Sequence, residues 1–234
     1  MTSVQLFIGG LTRLDDEGQL TGIYKQEVKS PINLGSEGFT GDHQADRRVH
    51  GGPEKAVHHY AAENYAQLAG RFPAAADQLI AGSIGENVST TGWTEHTVYI
   101  GDVFRLGDTM LQVSQPRSPC WKIDHRYGAE GMARFIAESG LTGWYYRVLK
   151  TGKVAGGAQF ELTERLPGAV ALADLWQLWQ EHRPDPDALA QLAEAPGLTP
   201  GWQKKLGDRL NWLRANSGTH KLPPSAFHVK PIRP

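Results

Sequence analysis

Cys120 is the only cysteine in 234 residues, and it sits in Gln115-Pro116-Arg117-Ser118-Pro119-Cys120-Trp121-Lys122. Prolines fix the backbone on either side of Arg117-Ser118. Arg117 and Lys122 are close enough in sequence to favour the thiolate, the form that binds metals and attacks electrophiles. The competing reading of a lone thiol is a small buried hydrophobe, which makes no demand for prolines or a guanidinium beside it. A single cysteine permits no intramolecular disulfide, which suits a reducing compartment.

Further constellations carry other chemistry. In the segment from Gly41-Asp42 to His50-Gly51-Gly52-Pro53, adjacent glycines let backbone N–H groups form a nest for an anion, and His50 can exchange a proton near neutral pH. An ordinary Gly-Gly turn is the alternative. His-Gly-Gly also matches the oxyanion loop of esterases, but the chain has no Gly-x-Ser-x-Gly elbow. In Ala56-Val57-His58-His59-Tyr60 the two histidines of a strand point to opposite faces and do not grip one metal together. His59 is expected to share the pocket of His50, with His58 in packing or at the surface. Ile84-Gly85-Glu86-Asn87-Val88 offers a carboxylate and an amide, or closes a turn. No His-Glu-x-x-His or paired Cys-x-x-Cys supports zinc, and no Walker A or Rossmann fingerprint supports ATP or NAD.

The elements that must position these groups change character near Pro167. Before it, short β-rich segments at 4–8, 23–28, 98–100, 103–106, 110–114, 144–149 and 159–162 are punctuated by glycine, a pattern of barrels and folded-over sheets. Helical spacing interrupts them at 63–72 and at 129–139, where Gly140 is the C-terminal cap. After Pro167 helices are expected over 171–182 and 187–195. A third follows the Thr199-Pro200 cap, with Trp202, Leu206, Leu210 and Leu213 on one face opposite Lys204, Lys205, Arg209 and Arg214. The chain therefore reads as mainly β with α: a β-barrel domain over 1–166, a three-helix bundle over 167–216 and a flexible tail over 217–234.

Composition excludes several classes. With 40% hydrophobic and 21% charged residues the chain is globular, and a formal net charge of -1 gives no pull toward a nucleic acid polymer. The N-terminus reads as a strand with no basic leader, and no apolar run approaches the ~20 residues that span a bilayer. A cytoplasmic protein with no membrane partner is expected.

Taken together, the Gly41 to Pro53 segment, Gly85-Glu86-Asn87, the Cys120 segment and Gly143-Trp144-Tyr145-Tyr146-Arg147-Val148 resemble a MOSC domain, named for the C-terminal part of molybdenum cofactor sulfurases. Their order and the helical appendage resemble its YiiM-like branch, over about residues 1 to 215. The resemblance implies a MOSC-type β-barrel and a molybdopterin-type molybdenum cofactor whose metal Cys120 holds. It also implies reduction of N-hydroxylated compounds of the 6-hydroxylaminopurine type. Soft sulfur donors suit molybdenum. For the cofactor, Arg117, Ser118, Lys122, Gly51, Gly52 and Asn87 are the binding candidates, with Lys25 and Arg47 behind them. The implied reaction removes the N–OH oxygen as water, consuming two electrons and two protons, with His50 as first candidate proton donor and Glu86 or His59 behind it. The chain has no iron–sulfur cysteines and no flavin or nicotinamide signature, so a separate reductase is implied. Two other classes remain open: a cofactor-binding or sulfur-carrier module using a Cys120 persulfide, and a non-catalytic interaction module. Monomer and homodimer are equally compatible with the sequence.

Overall fold

The computed structural model describes residues 2–14 and 18–217. Short extended segments come first: β1 (Thr2–Ser3), β2 (Gln5–Ile8), β3 (Thr12–Arg13), β4 (Leu20–Thr21), β5 (Gln26–Glu27), β6 (Ile32–Gly35) and β7 (Gly38–Phe39). The middle of the chain alternates α1 (Arg47–His50), β8 (Val57–Ala61), α2 (Glu63–Arg71), β9 (Val88–Thr90), β10 (Val103–Leu106) and β11 (Thr109–Pro116). Next come α3 (Lys122–Tyr127), α4 (Met132–Ser139), β12 (Trp144–Lys150), β13 (Gly152–Val154) and β14 (Gln159–Glu164), before α5 (Leu172–Gln180), α6 (Pro186–Ala193) and α7 (Pro200–Ala215).

The sheet order β1-β14-β10-β11-β12-β8-β9-β2-β5 is a barrel in disguise. β1 and β2 are separated only by Val4, yet β1 pairs with β14 at one end of that order and β2 pairs with β9 near the other. One continuous N-terminal segment thus joins both ends, which removes the exposed edges an open sheet would leave. Every residue of β8 is buried, and β8 lies antiparallel to β12 and parallel to β9. Inside, Phe104 stacks on Phe160 at 4.5 Å between ring centres, beside buried Trp144 and Tyr146.

The helices do not stand apart from this barrel. Leu172, Leu175, Trp176, Trp202, Leu206, Leu210 and Leu213 belong to the same buried apolar cluster as Phe104, Trp144 and Tyr146. Thr199 caps α7 by accepting from Trp202 N–H at 3.3 Å, while its own N–H donates to the Ser114 carbonyl at 3.2 Å. Arg147 ties Glu54, Gln112 and the Gly197 carbonyl together across the same seam. A second cluster, including Tyr60, Tyr65, Ile84, Ile123 and Met132, packs α2, α3 and α4 against the other side.

Some sequence expectations change. Of 23–28 only Gln26 and Glu27 pair as strand, and the Ile23 carbonyl accepts from Arg126 instead of a neighbouring strand. In 98–100 a single bridge joins Tyr99 to Ala171, and the Asp102 carboxylate takes the Tyr99 N–H at 2.9 Å to make a turn instead. The helix expected over 129–139 starts at Met132, after Gly131 in the left-handed region at φ 81. Helix α3, immediately after Cys120, has no counterpart among the sequence expectations. Beyond Ser217 the expected tail lies outside the described residues. Among the described residues no helix is long and apolar enough to cross a membrane.

Candidate functional site

At the end of β11 the chain leaves the sheet at Pro116, and the Arg117 N–H donates to the Gly143 carbonyl at 3.0 Å. That bond fixes the start of the loop that carries Arg117, Pro119 and Cys120 into α3. The Cys120 carbonyl accepts from Ile123 N–H at 3.1 Å, so the thiol is held at the entry to a helix whose apolar residues, Ile123 and Tyr127, are buried. Cys120 is a free, half-buried thiol on a cleft.

The cleft gathers cations around that thiol. Arg117, Lys122, Lys55 and Lys25 line it, and Asp42 is the one carboxylate among the described lining residues. Lys122 donates to the Leu20 carbonyl and Lys55 to the Val49 carbonyl, so both ammonium groups are tethered by neutral acceptors. Lys25 instead pairs with Asp42, whose carboxylate also accepts from Gly9 N–H and from Gln44. Arg117 is only 5% exposed, and its Nη1 has no hydrogen-bond partner. The result is an electropositive pocket with an unsatisfied buried donor, which an anion stabilises.

His50 lies at the end of α1, a turn capped by Asp46 through the Arg48 N–H. Burial first, then the charges of Arg117, Lys55 and Lys122, push its imidazole down to about 4. His50 is therefore neutral at pH 7 in the ligand-free chain. His58 enters from β8, where its N–H donates to Asn87 Oδ1 at 3.1 Å and its carbonyl accepts from Asn87 N–H at 2.8 Å. Tyr145 on β12 pairs in register with His58, and the two rings lie 5.3 Å apart.

The structure brings Cys120, Arg117, Lys122, His50, Lys25 and Asn87 to one cleft. Asn87 serves as a staple there, since its Nδ2 donates to the Phe7 carbonyl at 3.2 Å and its Oδ1 is taken by His58 N–H. Other expected site residues lie elsewhere. His59 faces the barrel interior, bonded to Tyr146 Oη and Thr90 Oγ1 at 2.9 Å each. The alternation of β8 holds, but it presents His58 to the cleft and His59 to the core. Glu86 is fully buried and accepts from Tyr65 Oη, Gly82 N–H and Ile84 N–H, which fixes the Gly82–Gly85 turn behind the cleft and leaves its carboxylate no access to it. Arg47 is exposed, pairs with Glu37 and lines a neighbouring groove. Gly51 spends its N–H on the Arg47 carbonyl to end α1, and Gly52, at φ 91, opens the next turn, so neither forms the expected nest at the cleft. Ser118 is exposed and does not line it.

Sequence reading missed His58, Lys55, Tyr145 and Asp42. Only His58 left a usable signal, since one histidine of the adjacent pair had to face away from the other. Among the described residues no group of three or more His, Cys, Asp or Glu is gathered as a metal site.

The chain matches the family profile described as MOSC domain over residues 46–161, and the profile described as YiiM-like, 3-alpha helix domain over residues 171–211. It is 39% identical to Protein YiiM of Escherichia coli (strain K12) over 194 residues, covering 82% of this chain and 86% of that protein. The crystal structure of YiiM from Escherichia coli superposes with a TM-score of 0.77 at 31% identity, covering 94% of each chain. A protein named Reductase from Gibberella moniliformis (strain M3125 / FGSC 7600) is 38% identical over 150 residues, which are 63% of this chain but 27% of that protein.

Proposed function

We propose that this chain, which belongs to the MOSC-domain family in its YiiM-like branch, is a reductase of N-hydroxylated compounds that works with a molybdopterin-type molybdenum cofactor. The observation that carries the reading is the free Cys120 thiol on a cleft lined by Arg117, Lys122 and Lys55, with Arg117 Nη1 buried and unpartnered. A soft sulfur donor and a cluster of cations are what a thiolate-bound metal and an anionic organic ligand require together. When bound, the cofactor supplies two-electron chemistry at a sulfur-ligated molybdenum.

The protein's own groups do the rest. Cys120 is the metal ligand. Lys55 and Lys122 hold the cofactor's phosphate, Arg117 faces the same ligand, and Lys25, already neutralised by Asp42, contributes orientation. His50 is the proton-exchanging side chain of the three considered that faces the cleft, and an anion among the neighbouring cations raises its proton affinity. The net reaction converts R–NHOH, two electrons and two protons into R–NH2 and water, with 6-hydroxylaminopurine as the substrate type. Electrons come from a separate reductase, a reading supported by the relative named Reductase, most of whose length lies outside the matched region. We place the reaction in the cytoplasm, where an unpaired thiol stays reduced.

The test is elemental analysis of protein purified from a host that makes the cofactor, alongside Cys120→Ser. Wild type should carry molybdenum equimolar with protein and reduce 6-hydroxylaminopurine with a chemical reductant. Cys120→Ser should lose the metal or its turnover, because a hydroxyl is a hard and largely protonated ligand. Full metal and full turnover in that variant would refute the ligand assignment. A persulfide on Cys120 with no molybdenum would favour a sulfur carrier instead.

A further inference from the structure

His58 is one of two buried polar groups of the cleft left without a partner by the fold. It is 5% exposed, and its Nε2 has no hydrogen-bond partner. Burial and the nearby Arg117 charge keep the ring neutral. A neutral imidazole keeps one lone pair, and the unpartnered Nε2 is the nitrogen we assign it to. The backbone is clamped at both N–H and carbonyl by Asn87. Tyr145 and Tyr60 hold it from the sides, at ring separations of 5.3 and 6.4 Å. At Gly143, φ 67, a Cβ would come within 3.1 Å of Nε2, so glycine is what lets the ring take this position. A buried acceptor left empty costs free energy, and a second buried group lining the same cleft, Arg117 Nη1, is an empty donor.

We propose that His58 Nε2 and Arg117 Nη1 together read one edge of a planar ligand, an N–H or O–H donor beside an oxygen or nitrogen acceptor. A phosphate monoester dianion does not satisfy this pair: its oxygens serve Arg117 but turn further acceptors on the Nε2 lone pair. Phosphate therefore belongs with Lys55 and Lys122, and the His58 end takes a lactam, amidine or hydroxylamine edge. The inference rests on the proposed function, which supplies two carriers of that chemistry: the pterin ring of the cofactor and the purine hydroxylamine substrate.

Cofactor-free protein separates the sources, and separates this inference from the function itself. Binding of pterin, 6-hydroxylaminopurine and inorganic phosphate is titrated by calorimetry in wild type, His58→Phe and His58→Gln. Phenylalanine keeps the ring and removes the acceptor, whereas glutamine restores an acceptor oxygen. His58→Phe should weaken one heteroaromatic probe by about 10–100-fold, leave phosphate unchanged, and be substantially rescued in His58→Gln. Loss for pterin assigns the edge to the cofactor, and loss for 6-hydroxylaminopurine assigns it to the substrate. Should His58→Phe fail to fold, nitrogen-15 NMR of the unaltered chain reads the same contact, because the probe must shift His58 Nε2 and leave Nδ1 protonated. Equal weakening of phosphate, unchanged binding of both heteroaromatics, no binding to wild type, or an unshifted Nε2 would each overturn the assignment. None of these results depends on molybdenum content, whose absence from the purified protein would instead defeat the proposed function.

Discussion

The carboxylate of Glu95 accepts the Gly143 N–H at 2.7 Å, and the carbonyl of the same glycine accepts the Arg117 N–H at 3.0 Å. Glu95 is 3% exposed, and its other polar neighbour, Asn64 Nδ2, donates at 3.0 Å. Its own carbonyl receives the Ala173 N–H of α5 at 2.8 Å. A residue remote from the cleft thus joins the bundle to the loop that presents Arg117.

Removing that acceptor should be expensive. Glu95→Ala leaves the Gly143 N–H and the Asn64 amide buried without a partner, at about 1–3 kcal/mol for each orphan. Urea denaturation should show a loss of roughly 2–5 kcal/mol. Both donors share the same oxygen, Oε1, so Glu95→Gln retains an acceptor for each and should cost less than half as much. Equal losses in the two variants would mean that the charge matters and the hydrogen bonds do not.

The continuity of the core makes a prediction about truncation. Deleting residues after 167 strips Leu172, Trp176 and Trp202 from the cluster that also holds Phe104 and Trp144, and it frees the Ser114 carbonyl and Arg147 from their partners on the Gly197–Thr199 turn. Large buried aromatics each contribute about 3–5 kcal/mol, against a total stability on the order of 5–15 kcal/mol. The truncated chain should show no cooperative thermal transition and should expose apolar surface to a hydrophobic dye. A sharp transition near that of the full chain would show that the barrel stands alone.

What the sequence makes legible follows the range of the interactions. Arg117, Cys120 and Lys122 share one short segment, so their chemistry can be read without knowing the fold, and the Thr199 cap is equally local. The cleft partners Lys55, His58 and Tyr145 meet the thiol only through the register of β8 against β12, which no local pattern encodes. His59 and His58 illustrate the limit sharply: alternation separates them with certainty, but which face is the core depends on Trp144, a long-range neighbour 4.3 Å from the His59 ring. Ile23 and Tyr24 look like strand because they are apolar, whereas the Ile23 carbonyl accepts from Arg126 at 2.8 Å and Arg126 sits 4.6 Å over the Tyr24 ring. A helix absent from the sequence reading, α3, supplies that partner.

Acid should weaken the fold through the buried histidines. Burial pushes His59 down to about 3, and His58 moves in the same direction. In the unfolded chain a histidine titrates near about 6.5. Between those values the unfolded state binds a proton that the folded state refuses, so the stability is complete above about pH 6.5 and is lost as pH falls toward 3. Glu86 and Glu95, raised by burial, act in the opposite sense, so the difference between wild type and a variant isolates the histidine. Between pH 7.5 and pH 5.0 the wild type should lose about 2 kcal/mol more than His59→Asn in urea titrations. Parallel pH profiles would mean that His59 titrates alike in both states.

His50 carries the last prediction, because the structure leaves it as the one proton-donor candidate of three that lines the cleft. Glu86 is spent on Tyr65 and the Gly82 and Ile84 N–H groups, and His59 on Tyr146 and Thr90. Without ligand, His50 is neutral above about pH 4 because burial and the charges of Arg117, Lys55 and Lys122 disfavour a further positive charge. An anion bound by those cations reverses the electrostatic part of that penalty and loads the imidazole when a substrate oxygen needs the proton. His50→Ala should therefore slow turnover by roughly 10²–10⁴-fold with a chemical reductant, the usual contribution of a positioned acid. Molybdenum content should stay near that of wild type, since Cys120 and the cations remain. His59→Asn, assayed at pH 7.5 where its fold is intact, should turn over normally. If His50→Ala turns over normally at full molybdenum loading, the proton comes from solvent and His50 has no catalytic part. If the metal is lost instead, the imidazole belongs to the binding of the cofactor, and the drop in turnover is only its consequence.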